Sequence, residues 1–288
     1  MWTVTAKIID GKARAKEIRS SLKKDVESLK QKGITPKLVV VLVGDDPASH
    51  IYVSNKEKAC AEVGILSETH KLPAMTNEND ILKLILKLNT DRNVHGILVQ
   101  LPLPDHINEE NITNAIIQAK DVDGLGTINM GMLIKGEGDP LVCCTPQGVI
   151  DLIKTTGIDI KGKNAVVVGR SNMVGKPTAI LLLKEHATVT ICHSRTVDLG
   201  SVTNKADILV AATGKAKKIT ADMVKKSAIV IDVGMIKTEK GWSGDVDFEK
   251  VKEIAGYITP VPGGVGPMTI AMLLKNTVKA ATRSAGIK

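Results

Sequence analysis

Short, continuous apolar runs recur along this chain with helix-compatible segments between them. That alternation confines the fold to the α/β class with mostly parallel strands. Leu38–Val43 is such a continuous run, and Gly96–Leu101, Ala165–Val168, Val189–Cys192, Ile208–Ala212 and Ile229–Val233 read as further strands. A strand without polar alternation must be covered on both faces. A helix is expected after the first run, with Asp46 as N-cap, Pro47 at its first position and Gly64 as its stop. Further helices are expected at Ile81–Leu88, Thr178–Lys184 and Met268 to about Ala281. Pro102 and Pro104 end the second run, because proline cannot donate to a strand ladder. The short run Tyr257–Thr259 leads into Pro260-Val261-Pro262-Gly263-Gly264-Val265-Gly266-Pro267, a stretch too rich in Gly and Pro for regular structure. Residues 120–145 show no strong period and divide the chain into halves.

The 288 residues suffice for two hydrophobic cores. Aromatics make up only 2%, so those cores are built from Ile, Val, Leu, Ala and Met. No apolar run reaches the roughly 18 residues of a membrane span. The N-terminus, Met1 to Lys7, lacks a charged region followed by an apolar one, so no signal peptide is expected and the location is cytoplasmic by default. Cys60, Cys143, Cys144 and Cys192 have no C-x-x-C spacing; they read as reduced thiols, and no metal is expected. The net charge is +8, yet the 39 Lys and Arg are interleaved with acids, which argues against a nucleic-acid groove. Small anionic molecules, phosphates or carboxylates, suit the excess equally well.

The run Ala165–Val168 passes directly into Gly169-Arg170-Ser171-Asn172-Met173-Val174-Gly175-Lys176-Pro177 and then a helix. A strand, a glycine turn and a helix N-terminus form a cradle for a pyrophosphate. The spacing is neither G-x-G-x-x-G nor a Walker loop, since Pro177 follows Gly175-Lys176. An NAD site normally carries an acid about 20 residues on, at the end of the next strand. Here that end reads Cys192-His193-Ser194-Arg195-Thr196. Arg170, Ser194 and Arg195 suit a 2′-phosphate, which favours NADP; the alternative is that both arginines merely face solvent.

In the first half, Tyr52 and Lys56 stand one helical turn apart, with Ser49 on the same stripe. A phenol ring and an amine side by side can hold a flat substrate and move a proton on it. The competing reading is a packed Tyr beside a Lys that snorkels to water. Gln100 lies at the end of the second apolar run, and Lys120-Asp121-Val122-Asp123-Gly124 places Asp123 near the junction of the halves. Ligands of open α/β sheets bind beyond strand carboxyl ends, so ring, amine, amide and carboxylate can face one cleft. Short-chain dehydrogenases also pair Tyr with Lys four residues on, but their nucleotide loop comes first. Here the pair precedes the loop.

Six motifs in this order carry a resemblance: Asp46-Pro47-Ala48-Ser49 with Tyr52 and Lys56; Val99-Gln100-Leu101-Pro102-Leu103-Pro104; Lys120 to Gly124; Cys144-Thr145-Pro146; Val168 to Ser171 with Val174-Gly175; and Pro260 to Thr269. Over essentially its whole length the chain resembles the bifunctional methylenetetrahydrofolate dehydrogenase/cyclohydrolase family. Cys143, where the family often has Pro, and Met132, where Arg is frequent, are departures. The resemblance implies two α/β domains flanking a cleft, the second a Rossmann-like NADP-binding domain, and a homodimer paired through that domain. The domains expected are 1–122, with a final helix of about 268–288 packing back on it, and 123–267. The implied substrate is a small molecule, 5,10-methylenetetrahydrofolate, oxidised with NADP and then hydrolysed to 10-formyltetrahydrofolate, with neither nucleic acid nor membrane as partner. Lys56, Gln100, Tyr52, Asp123 and Ser49 are the implied catalytic set: Lys56 for proton transfer with Gln100 and Ser49 in support, Tyr52 stacking on the aminobenzoyl ring, Asp123 on the pterin edge. Gly169, Arg170, Ser171, Gly175, His193, Ser194, Arg195, Thr213 and Gly214 are the implied NADP residues. Pro262, Gly263 and Gly264 let the backbone approach folate or nicotinamide. A dehydrogenase without the hydrolytic step, a non-catalytic nucleotide-binding regulator and a basic nucleic-acid binder are the rival readings.

Overall fold

The computed structural model describes residues 5–239 and 241–286. Residues 1–4, on which the signal-peptide expectation partly rests, and 287–288, the end of the expected last helix, lie outside the described residues. The elements run β1 (Lys7–Ile8), α1 (Gly11–Gln31), β2 (Lys37–Val43), α2 (Pro47–Val63), β3 (Leu66–Leu72), α3 (Glu78–Thr90), β4 (Gly96–Val99), α4 (Glu109–Ala115) and α5 (Thr127–Lys135). They continue α6 (Cys144–Thr155), β5 (Asn164–Val168), α7 (Gly175–Lys184), β6 (Thr188–Cys192), α8 (Leu199–Thr203) and β7 (Ile208–Ala211). The last are β8 (Ile229–Asp232), β9 (Ile236–Thr238), β10 (Gly241–Ser243), α9 (Phe248–Val251), β11 (Tyr257–Ile258) and α10 (Val265–Ser284).

The chain forms two compact units. One takes the chain up to Ala15 together with Thr145–Thr269; the other takes Lys16–Cys144 and the chain from Ile270 onward. Two stretches thus depart from the division expected at 122/123. Residues 5–15 join the nucleotide-loop half because β1 pairs in parallel with β11, Lys7 opposite Tyr257 and Ile8 opposite Ile258. Residues 123–144 stay with the first half, tied by hydrogen bonds donated to Asp121 and by Asn276, described below.

In the unit holding residues 16–144, the sheet order is β3-β2-β4, all parallel. Beyond Lys37 the central strand β2 is apolar and buried, as a strand covered on both faces requires. Ile81, Ile85 and Leu88 of α3 and Ile112 of α4 pack with Val39, Val41 and Val43. The other unit carries a six-stranded sheet of order β1-β11-β8-β7-β5-β6, with parallel pairs throughout. Its core includes Val166, Val168, Leu209, Ala211, Val230 and Ile258. From β5 the chain steps one way to β6 and then back across to β7 on the other side. That reversal is the switch point at which open α/β sheets bind ligands.

Candidate active site

Helix α2 starts and stops where its terminal residues dictate. The Asp46 carboxylate accepts from the Ser49 N–H at 2.8 Å, Pro47 opens the first turn, and Gly64 ends the helix in the left-handed region at φ 84°. Its buried side is Ser49, Val53, Lys56, Cys60 and Val63, the stripe that 3.6-residue periodicity produces. Lys56 lies within this stripe, only 9% exposed. Tyr52 sits at its border, half-buried.

Strand β4 delivers Gln100 just beyond its carboxyl end, with the Gln100 N–H still donating to Val41 O at 2.9 Å. The Lys56 ammonium donates to Gln100 Oε1 at 2.6 Å, while Gln100 Nε2 donates to the Leu101 carbonyl at 2.6 Å. That second bond fixes which end of the amide faces the lysine. Burial lowers the Lys56 pKa below the ordinary lysine value, with the negative charge of Asp123 opposing. Burial likewise raises the Asp123 carboxyl, while Lys56 and the Cys144 thiol pull it back. A neutral amide cannot offset the lost solvation of an ammonium as a carboxylate would, so the site moves its lysine toward the free amine.

Asp123 sits in a turn built by residues that sequence reasoning did not assign. Buried Asp121 accepts from the N–H groups of Gly124 (3.0 Å), Leu125 (3.3 Å) and Gly126 (2.9 Å) and from Asn129 Nδ2 (2.9 Å). Asn276 of α10 donates to the carbonyls of Val122 (2.8 Å) and Val142 (2.9 Å). Gly124 has φ 68°, and a Cβ there would lie 2.5 Å from the Val142 carbonyl carbon. The available signals were the first acid of Lys-Asp-Val-Asp-Gly and an Asn within the last helical segment, after the apolar run Ile270–Leu274.

In the other unit the expected nucleotide residues line the carboxyl ends of β5, β6 and β7. Val168 is in register with both Cys192 and Ala211, so the three ends are level. A Cβ at Gly169 would lie 2.2 Å from Ala212 O, and one at Gly175 2.3 Å from Gly169 O. Only glycine closes this turn. Helix α7 begins at Gly175, a turn earlier than the expected Thr178, because Ser171 Oγ accepts from the N–H groups of Val174 (3.2 Å) and Gly175 (3.3 Å). The hydroxyl proton of Ser171 is thereby left to donate elsewhere. Arg170, Ser194 and Arg195 are exposed. The turn bearing the last two is closed by His193 N–H donating to Thr196 Oγ1 (2.8 Å) and Arg195 N–H donating to His193 Nδ1 (3.2 Å). Thr213 and Gly214 follow β7 directly. Glycine-lined space at a switch point, with arginine and no acid at the β6 end, fits an NADP cofactor. Pro262, Gly263 and Gly264 precede α10; Lys12 N–H donates to Gly263 O at 3.0 Å, and Gly264 N–H to Pro260 O at 2.9 Å.

A nucleotide-binding α/β sheet, and separately a buried lysine held by an amide near a carboxylate, define a dehydrogenase-class enzyme with machinery for proton transfer. Family models for the tetrahydrofolate dehydrogenase/cyclohydrolase catalytic domain and NAD(P)-binding domain match residues 9–123 and 143–285. The Moorella thermoacetica protein named bifunctional protein FolD is 59% identical over 279 residues, 96% of this chain and 99% of that one. The crystal structure of the FolD methylenetetrahydrofolate dehydrogenase/cyclohydrolase of Campylobacter jejuni superposes with a TM-score of 0.95 at 51% identity, covering 96% of this chain and 99% of that. That of the Trypanosoma brucei dehydrogenase-cyclohydrolase, complexed with NADP and an inhibitor, gives 0.93 at 38% identity, covering 98% and 99%. The chain belongs to the tetrahydrofolate dehydrogenase/cyclohydrolase family.

Proposed function

We propose that this protein oxidises 5,10-methylenetetrahydrofolate to 5,10-methenyltetrahydrofolate with NADP and hydrolyses that product to 10-formyltetrahydrofolate. NADP, when bound, accepts the hydride from the bridging carbon, whose cation is stabilised by the adjacent nitrogen lone pairs. Oxidation therefore asks the protein mainly for positioning, whereas hydrolysis asks for proton transfer.

The observation that carries the reading is the 2.6 Å bond between a buried, pKa-lowered Lys56 and Gln100. As water adds to the methenyl carbon, the free amine of Lys56 takes a water proton. The carbon–nitrogen bond then opens with its electron pair on the ring nitrogen, which is protonated, and one net proton is released to solvent. Gln100 aims the amine, and Ser49 supports it from the same buried stripe. Tyr52 stacks on the aminobenzoyl ring, and Asp123 accepts from paired pterin N–H donors. Pro262, Gly263 and Gly264 admit close backbone approach. Gly169 and Gly175 cradle the pyrophosphate with Arg170 and Ser171; His193, Ser194 and Arg195 take the 2′-phosphate side, and Thr213 and Gly214 complete the nucleotide site.

The reading extends to a cytoplasmic homodimer that supplies formyl groups for purine biosynthesis. The edge strand β6 supports pairing through the nucleotide unit: among the described residues it pairs only with β5, and it presents Thr188, Thr190 and Ile191 exposed. Among the described residues, no helix is long and apolar enough to cross a membrane. One assay tests the activity: methylenetetrahydrofolate supplied with NADP, followed at the nicotinamide and methenyl absorbances. The expected record is nicotinamide reduction with methenyl absorbance that rises and decays. A methenyl signal that persists as in enzyme-free buffer would remove the hydrolytic half.

A further inference from the structure

Two carboxylates lie deep in the nucleotide unit, outside every role given above. Asp232 ends β8 and is 2% exposed; Asp245 follows β10 and is fully buried at 0%. Among the described residues, no cation forms an ion pair with either. Buried charge without a counter-ion is costly unless hydrogen bonds replace its solvation. Here hydrogen bonds replace part of it, and all six described donors to these carboxylates are backbone amides. Asp232 accepts from the N–H groups of Gly234 (2.9 Å), Asp245 (2.9 Å) and Val246 (3.0 Å). Asp245 accepts from those of Thr213, Gly214 (3.3 Å) and Lys215 (3.0 Å).

The fit around the pair admits no side chain. A Cβ at Gly244 would lie 1.9 Å from Asp232 Oδ2, and one at Gly234 2.5 Å from Asp245 Oδ1. Asp232 is itself held from the next strand, its N–H donating to Thr259 Oγ1 at 2.8 Å. The chain of contacts therefore runs from β11 through Asp232 to Asp245 and ends on the turn after β7. Three consecutive amides of that turn would make a ready anion nest, yet Asp245 already occupies them. The turn is left with carbonyl and hydroxyl oxygens to present outward, and those recognise hydroxyl donors rather than phosphates.

We propose that Asp245, seated on Asp232, is a positioning residue for the dinucleotide: it turns the amides of Thr213, Gly214 and Lys215 inward, so that this turn takes a ribose hydroxyl of NADP instead of a phosphate. The inference rests on the assignment of the 213–214 turn to the cofactor site. Because the bond involves no 2′-phosphate, the loss on mutation falls on NADP and NAD alike.

The test is Asp245→Asn, with both activities measured separately. Asparagine opposes an NH2 to at least one inward amide. Losing one charge-assisted bond raises the KM for NADP and for NAD by about tenfold or more. The kcat at saturating nucleotide, and the hydrolysis of supplied methenyltetrahydrofolate, stay within about twofold of wild type on the same reasoning. Gly234→Ala, which pushes on Asp245 Oδ1 without removing charge, is expected to give the same split. A change in NADP affinity without change in NAD, unaltered KM values, or loss of kcat and hydrolysis together in both variants would each overturn the proposal. Backbone NMR shifts of residues 213–215 in the wild-type protein separate the two layers. If they move on NADP addition while Asp245→Asn leaves KM unchanged, only the positioning role fails. If they do not move, the placement of the turn at the cofactor fails with it.

Discussion

Gln100 could have been a glutamate on purely steric grounds, and the difference defines what Lys56 can do. An amide oxygen at 2.6 Å orients the amine without stabilising its charge. Glutamate would supply a full counter-charge, so Gln100→Glu should raise the Lys56 pKa. In the proposed mechanism the free amine is the active form, so the rise of hydrolysis with pH should move to higher pH in that variant. An unmoved profile would contradict the assignment of Lys56 as the base. Lys56→Met is expected to abolish methenyl hydrolysis, measured by decay of methenyl absorbance, and full hydrolysis by that variant would remove Lys56 from the mechanism. At the other end of the chemistry, Arg195 is exposed and stands where an NAD enzyme would carry an acid. Arg195→Ala should weaken NADP by about tenfold or more and leave NAD nearly unaffected. Equal losses in the two titrations would refute the 2′-phosphate role.

Among the elements, the turn carrying Asp123 is tightly specified. Gly124 combines φ 68° with a carbonyl carbon 2.5 Å from where its Cβ would stand. Gly124→Ala is expected to cost about 2 kcal/mol or more of stability, seen in denaturant melts, and to lower both activities by displacing Asp123. Elements with local punctuation were legible in the sequence. Asp46-Pro47 and Gly64 bracket α2 as read, and the apolar runs at β2, β5, β7 and β8 are strands within a residue or so of their expected bounds. Strand β3, Leu-Ser-Glu-Thr-His-Lys-Leu, escaped because it is an exposed edge with few apolar residues, and β1 because two residues carry no period. The site was legible to the same degree. Side chains on punctuated elements, such as Ser49, Lys56 and Gln100, could be picked out. Asp121, Asn129 and Asn276 could not, because their role is to satisfy backbone groups that only the folded turn brings near.

At the scale of the molecule, Asp232 ties stability to pH. Burial pushes its carboxyl up from 3.8 to about 7. A carboxyl with a raised folded-state pKa binds its proton more tightly in the native state. Its stabilising contribution is therefore full below about 4 and is lost as pH rises through about 7. The stability advantage of wild type over Asp232→Asn should shrink between pH 4 and pH 8 in urea titrations; a constant gap would show that Asp232 does not titrate in this window. The β1–β11 pairing has a different consequence, in the order of synthesis. Residues 7–8 leave the ribosome first and wait for 257–258 before their strand has a neighbour. The unit containing residues 16–144 lacks its share of α10 until the chain beyond Ile270 has been made. Neither unit can be completed until the chain beyond Gly256 has been made, so both acquire their last elements late in synthesis.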